Sequence, residues 1–140
     1  MARFAVDAPV IMKCFVPENH SSPAARLLDG GNELLAADTI LAETAGIIAA
    51  KIRLDEMTED EAALIVEAIK SLPLTIQPVE ILLEPALNIS AVLDFPFREG
   101  LGIALAVQAE CRLVTANRTV YDSVQNTPFA RHVKWVGDIR

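Results

Sequence analysis

RFAVDAPVIMKCFV, from Arg3 to Val16, decides the fold. Phe4 to Val6 form a short apolar run that reads as a strand reaching Asp7. Pro9 follows at once, and proline suits the first turn of a helix because its missing N–H would have no partner there. The stretch is therefore a strand that passes directly into a helix, with a carboxylate at the junction. Asp7 is well placed to cap that helix. It also stands at the carboxyl end of a strand, where parallel sheets gather their functional groups.

The rest of the chain repeats the alternation. SSPAARLLDGG offers a serine cap, a proline in the first turn and Gly30–Gly31 as a stop, which predicts a short helix from about Pro23 to Leu28. Glu33 to Ala36 reads as a brief strand. Asp38 or Thr39 can then cap a helix in which Leu41, Ala45, Ile48 and Ile52 recur at helical spacing, with Glu43 in its early turns. Thr58 and Glu61 form a capping box for the next helix, which Pro73 stops. Leu74 to Gln77 reads as a strand, and VEILLEPALNISAVLD as a helix with a break or a new start at Pro85. FPFREGLGIALAVQAE reads as a loop and an apolar helix, RLVTA as a strand, VYDSVQ as a short helix and HVKWV as a last strand. This order implies an α/β fold of three layers, α/β/α, around a mostly parallel central sheet. A length of 140 residues with no linker or repeat implies one domain, 1–140.

Composition narrows the class. The chain is 52% hydrophobic but only 5% aromatic, so its core must be built from Ala, Leu, Ile and Val, as in helix-covered sheets. Apolar runs such as LGIALAV fall well short of the roughly 20 residues that cross a bilayer, and no basic segment leads into a long apolar one near the start. A cytoplasmic protein without a membrane segment is expected. Cys14 and Cys111 have no metal-ligand spacing and read as small apolar residues. A net charge of −7 argues against nucleic-acid binding by overall attraction, although the stretch from Arg98 onward carries six basic residues against four acidic ones.

Two strand ends carry polar residues of interest, Asp7 after FAV and Asn117 after LVTA, and a parallel sheet brings both to one edge. Glu43 and Glu99 each lie near the start of a mostly apolar helix, from which they could reach the same edge. Clustered carboxylates repel one another and are stabilised by a divalent cation, Mg²⁺ or Mn²⁺, which suits phosphodiester cleavage. Taken singly, Asn117 reads as a turn residue, Glu43 as a solvated helix residue, and Glu99 as a helix-dipole partner. Asp94 and Asp122 read as loop and helix-cap residues. His20 and His132 fall in no HExxH-type motif, and Gly30–Gly31 and Gly100–Leu101–Gly102 do not make a phosphate loop, which disfavours a small-molecule nucleotide site.

Together these segments resemble the PIN-domain ribonucleases of the VapC toxin type, over nearly the whole chain. VDAPVIMKCFVPE is similar to the family's opening, and Asp7 matches its first acid. LLAADTILAETAGII is similar to the second signature, and Glu43 matches its glutamate. FPFREGLGIALAVQAECRLVTANRTV aligns without gaps to the third and fourth, and TPFARHVKWVGD resembles the family's ending. Arg98 and Glu99 stand where tyrosine and aspartate are usual, Gly102 where a second aromatic is common, and Asn117 on the last aspartate.

The resemblance implies a PIN-like fold and a metal-dependent endoribonuclease held inactive by a VapB-like antitoxin, with RNA as substrate and a homodimer as the assembly. Asp7 and Glu99 would hold Mg²⁺ or Mn²⁺. Glu43 would complete the site directly or through water, and Asn117 would orient water or a second ion. Arg98 and Arg118 are candidates for phosphate contact. Glu99 extends its carboxylate by a methylene and Asn117 lacks a charge. The alternative is therefore a PIN-fold protein of little or no catalysis that keeps its antitoxin- or RNA-binding role.

Overall fold

The computed structural model describes residues 2–140. Five strands form one sheet: β1 (Ala2–Ala5), β2 (Asn32–Ala37), β3 (Leu74–Gln77), β4 (Arg112–Thr115) and β5 (Val133–Trp135), in the order β3-β2-β1-β4-β5 with every pairing parallel. The chain builds outward from β1 to one side, through β2 to β3, and then returns to add β4 and β5 on the other side. The strand order therefore reverses between β1 and β4. Neighbouring connections diverge there to opposite faces, and a crevice opens beyond the strand ends.

Side chains alternate across each strand, so neighbours enter different cores. Phe4, Val6, Leu34, Ala36 and Val114 pack on one face of the sheet, against α1 (Ala8–Phe15), α3 (Ile40–Arg53) and α4 (Glu59–Lys70). Ala5, Ala37, Leu113 and Val133 pack on the other, against α5 (Leu83–Leu93), α6 (Phe97–Gln108) and α7 (Arg118–Val124). This is the three-layer α/β/α arrangement, with a sheet that is wholly rather than mostly parallel. None of these helices is long and apolar enough to cross a membrane.

Local signals explain most boundaries. Thr58 and Glu61 exchange both bonds of the capping box at 3.1 Å. Pro85 falls in the first turn of α5, where proline is tolerated, so the helix starts beside it and is not broken. Three expectations shift. The early short helix α2 runs Ser21–Ala25, and His20, in the left-handed region at φ +66°, takes the capping place without a side-chain bond. Thr39 holds the cap position of α3 without capping it. The Asp38 carboxylate instead accepts from the Val79 N–H at 3.1 Å and ties the end of β2 to the segment after β3.

Helices α5 and α6 approach closely because Gly100 has no side chain. The hydroxyl of Ser90 fills the space and is left buried without a hydrogen-bond partner. An unpartnered buried hydroxyl costs roughly 1–3 kcal/mol. Ser90→Ala is therefore expected to raise stability by about 1 kcal/mol in urea denaturation. A loss of stability instead would mean that the hydroxyl has a partner.

Candidate functional site

The crevice between β1 and β4 receives side chains from four helix starts. Asp7 follows β1 and caps α1, its carboxylate accepting from the Val10 N–H at 3.1 Å. Asn117 follows β4 and caps α7 in the same way, accepting from the Val120 N–H at 3.2 Å. Both residues are thus the helix caps and turn formers that their local sequence implies, and each keeps further oxygen lone pairs. Glu43 lies in the first turn of α3, where the Thr39 hydroxyl donates to it at 3.2 Å. Glu99 lies in the first turn of α6.

These residues line two adjoining cavities. One, of about 390 Å³, takes Asp7, Glu43, Glu99 and Arg98 together with an apolar wall that includes Ile40, Ile47 and Leu105. The other, of about 490 Å³, takes Asp7, Glu99, Asn117, Arg98 and Arg118. Asp7 and Glu99 belong to both and form the seam, with Glu43 on one side and Asn117 on the other. Asp94 and Asp122 do not line either cavity. Asp94 ends α5 in the left-handed region, and Asp122 pairs with Arg118 Nε at 3.2 Å.

The electrostatics of the seam are strained. Glu99 is the one buried charged residue among those described, at 8% exposure, and its recorded ion pair is a long one, 3.7 Å to Arg98 Nε. Asp7 is half-buried as a residue, but the protein packed around its carboxyl group desolvates it. Its pKa is pushed up from 3.8 to about 7, chiefly by that desolvation, with the nearby Glu99 and Glu43 raising it further. The Val10 N–H and Arg98 oppose the shift without cancelling it.

Hard carboxylate oxygens that repel one another in a water-accessible cavity have the chemistry of a Mg²⁺ or Mn²⁺ site. The geometry is open: among the described residues, no three His, Cys, Asp or Glu side chains converge tightly enough to enclose an ion. Such a donor set suits a cation that is held by one or two carboxylates and keeps several waters, the usual manner of Mg²⁺.

Lys51 in the second cavity escaped the sequence reading, and Glu18 entered it only as the end of the opening motif. Lys51 had a legible signal, since Glu43, Ile47 and Lys51 follow one face of α3 at four-residue steps. Lys13, noted only as part of the opening motif, also lines this cavity, six residues along α1 from the Asp7 cap. The cysteines are inert. Both are free, and burial pushes the Cys14 thiol up to about 11.

No family model matches this chain, and no curated protein matches it in sequence. Solved structures do. The chain is similar to PAE2754 from Pyrobaculum aerophilum, with a TM-score of 0.70 and 16% identity over 96% of this chain and 84% of that one. It is also similar to a chain of a toxin-antitoxin complex from Klebsiella pneumoniae, with a TM-score of 0.55 and 13% identity over 96% of each chain. The likeness is one of fold.

Proposed function

We propose that this chain is a VapC-like endoribonuclease that uses Mg²⁺ or Mn²⁺ at the seam between Asp7 and Glu99 to cleave RNA phosphodiester bonds. The observation that carries the reading is the gathering of Asp7, Glu43 and the buried Glu99 around adjoining cavities at a switch-point crevice. Asp7 and Glu99 hold the ion, Glu43 supports it directly or through water, and Asn117 orients water or a second ion. A divalent cation bound there supplies an activated water for attack on phosphorus and neutralises the charge that develops. Arg98, beside Glu99 and lining both cavities, contacts the phosphate. The reaction needs no covalent intermediate on the protein.

The similarity to a chain of a toxin-antitoxin complex supports a toxin silenced by a VapB-like antitoxin; a cytoplasmic location and a homodimer complete the proposal. The first cavity, apolar on one wall and acidic on the other, suits an inserted segment that carries both apolar and basic side chains. One observation favours a second reading, a PIN-fold protein without catalysis: no three ligands converge among the described residues. RNA cleavage in Mn²⁺ or Mg²⁺ that EDTA stops supports the enzyme. Its absence at millimolar metal, with RNA or antitoxin still bound, supports the second reading.

Asn117→Asp tests the weak corner directly. Aspartate caps a helix as well as asparagine does, so stability should hold, while the added charge should tighten Mn²⁺ binding by about tenfold in calorimetric titration. An unchanged Mn²⁺ affinity would place residue 117 outside the metal's reach.

A further inference from the structure

We propose that Arg118, whose guanidinium lies over the Trp135 and Tyr121 rings, is a stacking platform for one nucleobase of the bound RNA strand; this rests on the nuclease reading above. The Arg118 guanidinium carbon lies 4.9 Å from the centre of the Trp135 ring and 5.0 Å from that of Tyr121. Its Nε pairs with Asp122 at 3.2 Å, yet the side chain remains 59% exposed. The cation is thus held by two rings and a carboxylate and still meets solvent. Trp135 is itself held. His20 meets it edge-on at 5.2 Å, and Gly137 packs so closely that a Cβ there would fall 2.6 Å from Trp135 Nε1.

A charge that only met phosphate would need no aromatic backing, and a lysine would serve. A guanidinium held in place by aromatic rings and still exposed to solvent is suited to stack a base. That base must be unpaired, since in a duplex its faces are already covered.

The second cavity runs from Arg118 to the seam of Asp7 and Glu99, and Lys13, Lys51 and Arg98 line it. Glu18 pairs with both lysines at 3.4 and 3.7 Å, long contacts that a phosphate can replace. A strand whose base rests on Arg118 therefore finds cations along its path to the acids. In a chain of net charge −7 the attraction must be local, and this cavity gathers four cations, Lys13, Lys51, Arg98 and Arg118, against three carboxylates.

Trp135 is the sole tryptophan, so its fluorescence reports on the platform. The full chain is titrated in EDTA, where RNA stays intact, with a single-stranded oligoribonucleotide of about twelve residues, its duplex, and an abasic sugar–phosphate strand of equal length. The single strand is expected to quench Trp135, and the other two are not. Arg118→Lys, with an unchanged melting temperature, is expected to bind the single strand on the order of tenfold more weakly and to lose its preference over the abasic strand. Equal quenching by the abasic strand, no quenching by RNA, or unchanged binding by Arg118→Lys overturns the platform. Metal-dependent cleavage alongside any of those results leaves the nuclease reading standing. Quenching without cleavage in Mg²⁺ or Mn²⁺ keeps the RNA platform and removes the nuclease.

Discussion

Asp7→Asn is expected to lower metal-dependent RNA cleavage by roughly a hundredfold or more, the scale on which loss of a group that stabilises transition-state charge is felt. The same substitution is expected to stabilise the metal-free protein at neutral pH. Both effects follow from one carboxylate. Asn keeps an oxygen for the Val10 N–H and so keeps the cap of α1, but it removes the charge that the seam is poorly equipped to hold. The folded protein raises the Asp7 pKa from 3.8 to about 7, so folding favours the protonated acid. Stability from this group is therefore complete below about pH 4 and declines as the pH rises to about 7, beyond which the loss is constant. That interval corresponds to at most about 4 kcal/mol, and the partial exposure of Asp7 reduces it.

Urea denaturation in EDTA between pH 4 and 8 should show the decline in the natural sequence and its absence in Asp7→Asn. Mn²⁺ at pH 7.5 should raise the melting temperature of the first and leave the second unmoved. Cleavage by Asp7→Asn at the natural rate would remove Asp7, and with it the seam, from the catalytic proposal.

The parts of this site that the sequence discloses are those fixed by local rules. A strand that runs into Asp7 and a proline can end only at a sheet edge, and Asn117 after β4 obeys the same logic; parallel pairing of β1 with β4 then sets the two side by side. Leu74–Gln77 and the Thr58–Glu61 capping box are legible for the same reason, since each rests on neighbours within a few residues. Glu43 and Glu99 are harder. An acid in the first turn of a helix is common, and only the packing of α6 against the sheet leaves Glu99 buried. The stacking of Arg118 on Trp135 joins residues 17 positions apart through the contact of α7 with β5, and no periodicity in the sequence announces it. His20 in a left-handed conformation and Asp38 turned away from its expected cap are likewise products of tertiary contacts that override local preference.

Gly100→Ala is expected to destabilise the protein by about 3 kcal/mol or more, against the usual sign of such a change. Within a helix, glycine to alanine ordinarily gains up to about 1 kcal/mol, because alanine has less backbone freedom to lose. At position 100 the new Cβ would collide with Ser90 Oγ and fall 2.6 Å from the Ala86 carbonyl oxygen and 3.2 Å from the Ser90 nitrogen. A serine can rotate, but backbone atoms of α5 can yield only if the helix moves. If α6 moves instead, it takes Glu99, the residue before Gly100, with it and disturbs the seam with Asp7, so Mn²⁺ affinity should fall with stability. Ser90→Gly combined with Gly100→Ala should recover only part of the loss, because the Ala86 carbonyl remains in the way. Gly46 provides the opposite case. It lies within α3, and a Cβ there meets nothing within 4 Å, so Gly46→Ala should stabilise by about 0.5–1 kcal/mol. Urea midpoints at unchanged slope would measure both. Equal and positive effects at the two positions would show that α5 and α6 do not meet as closely as Ser90 and Gly100 require.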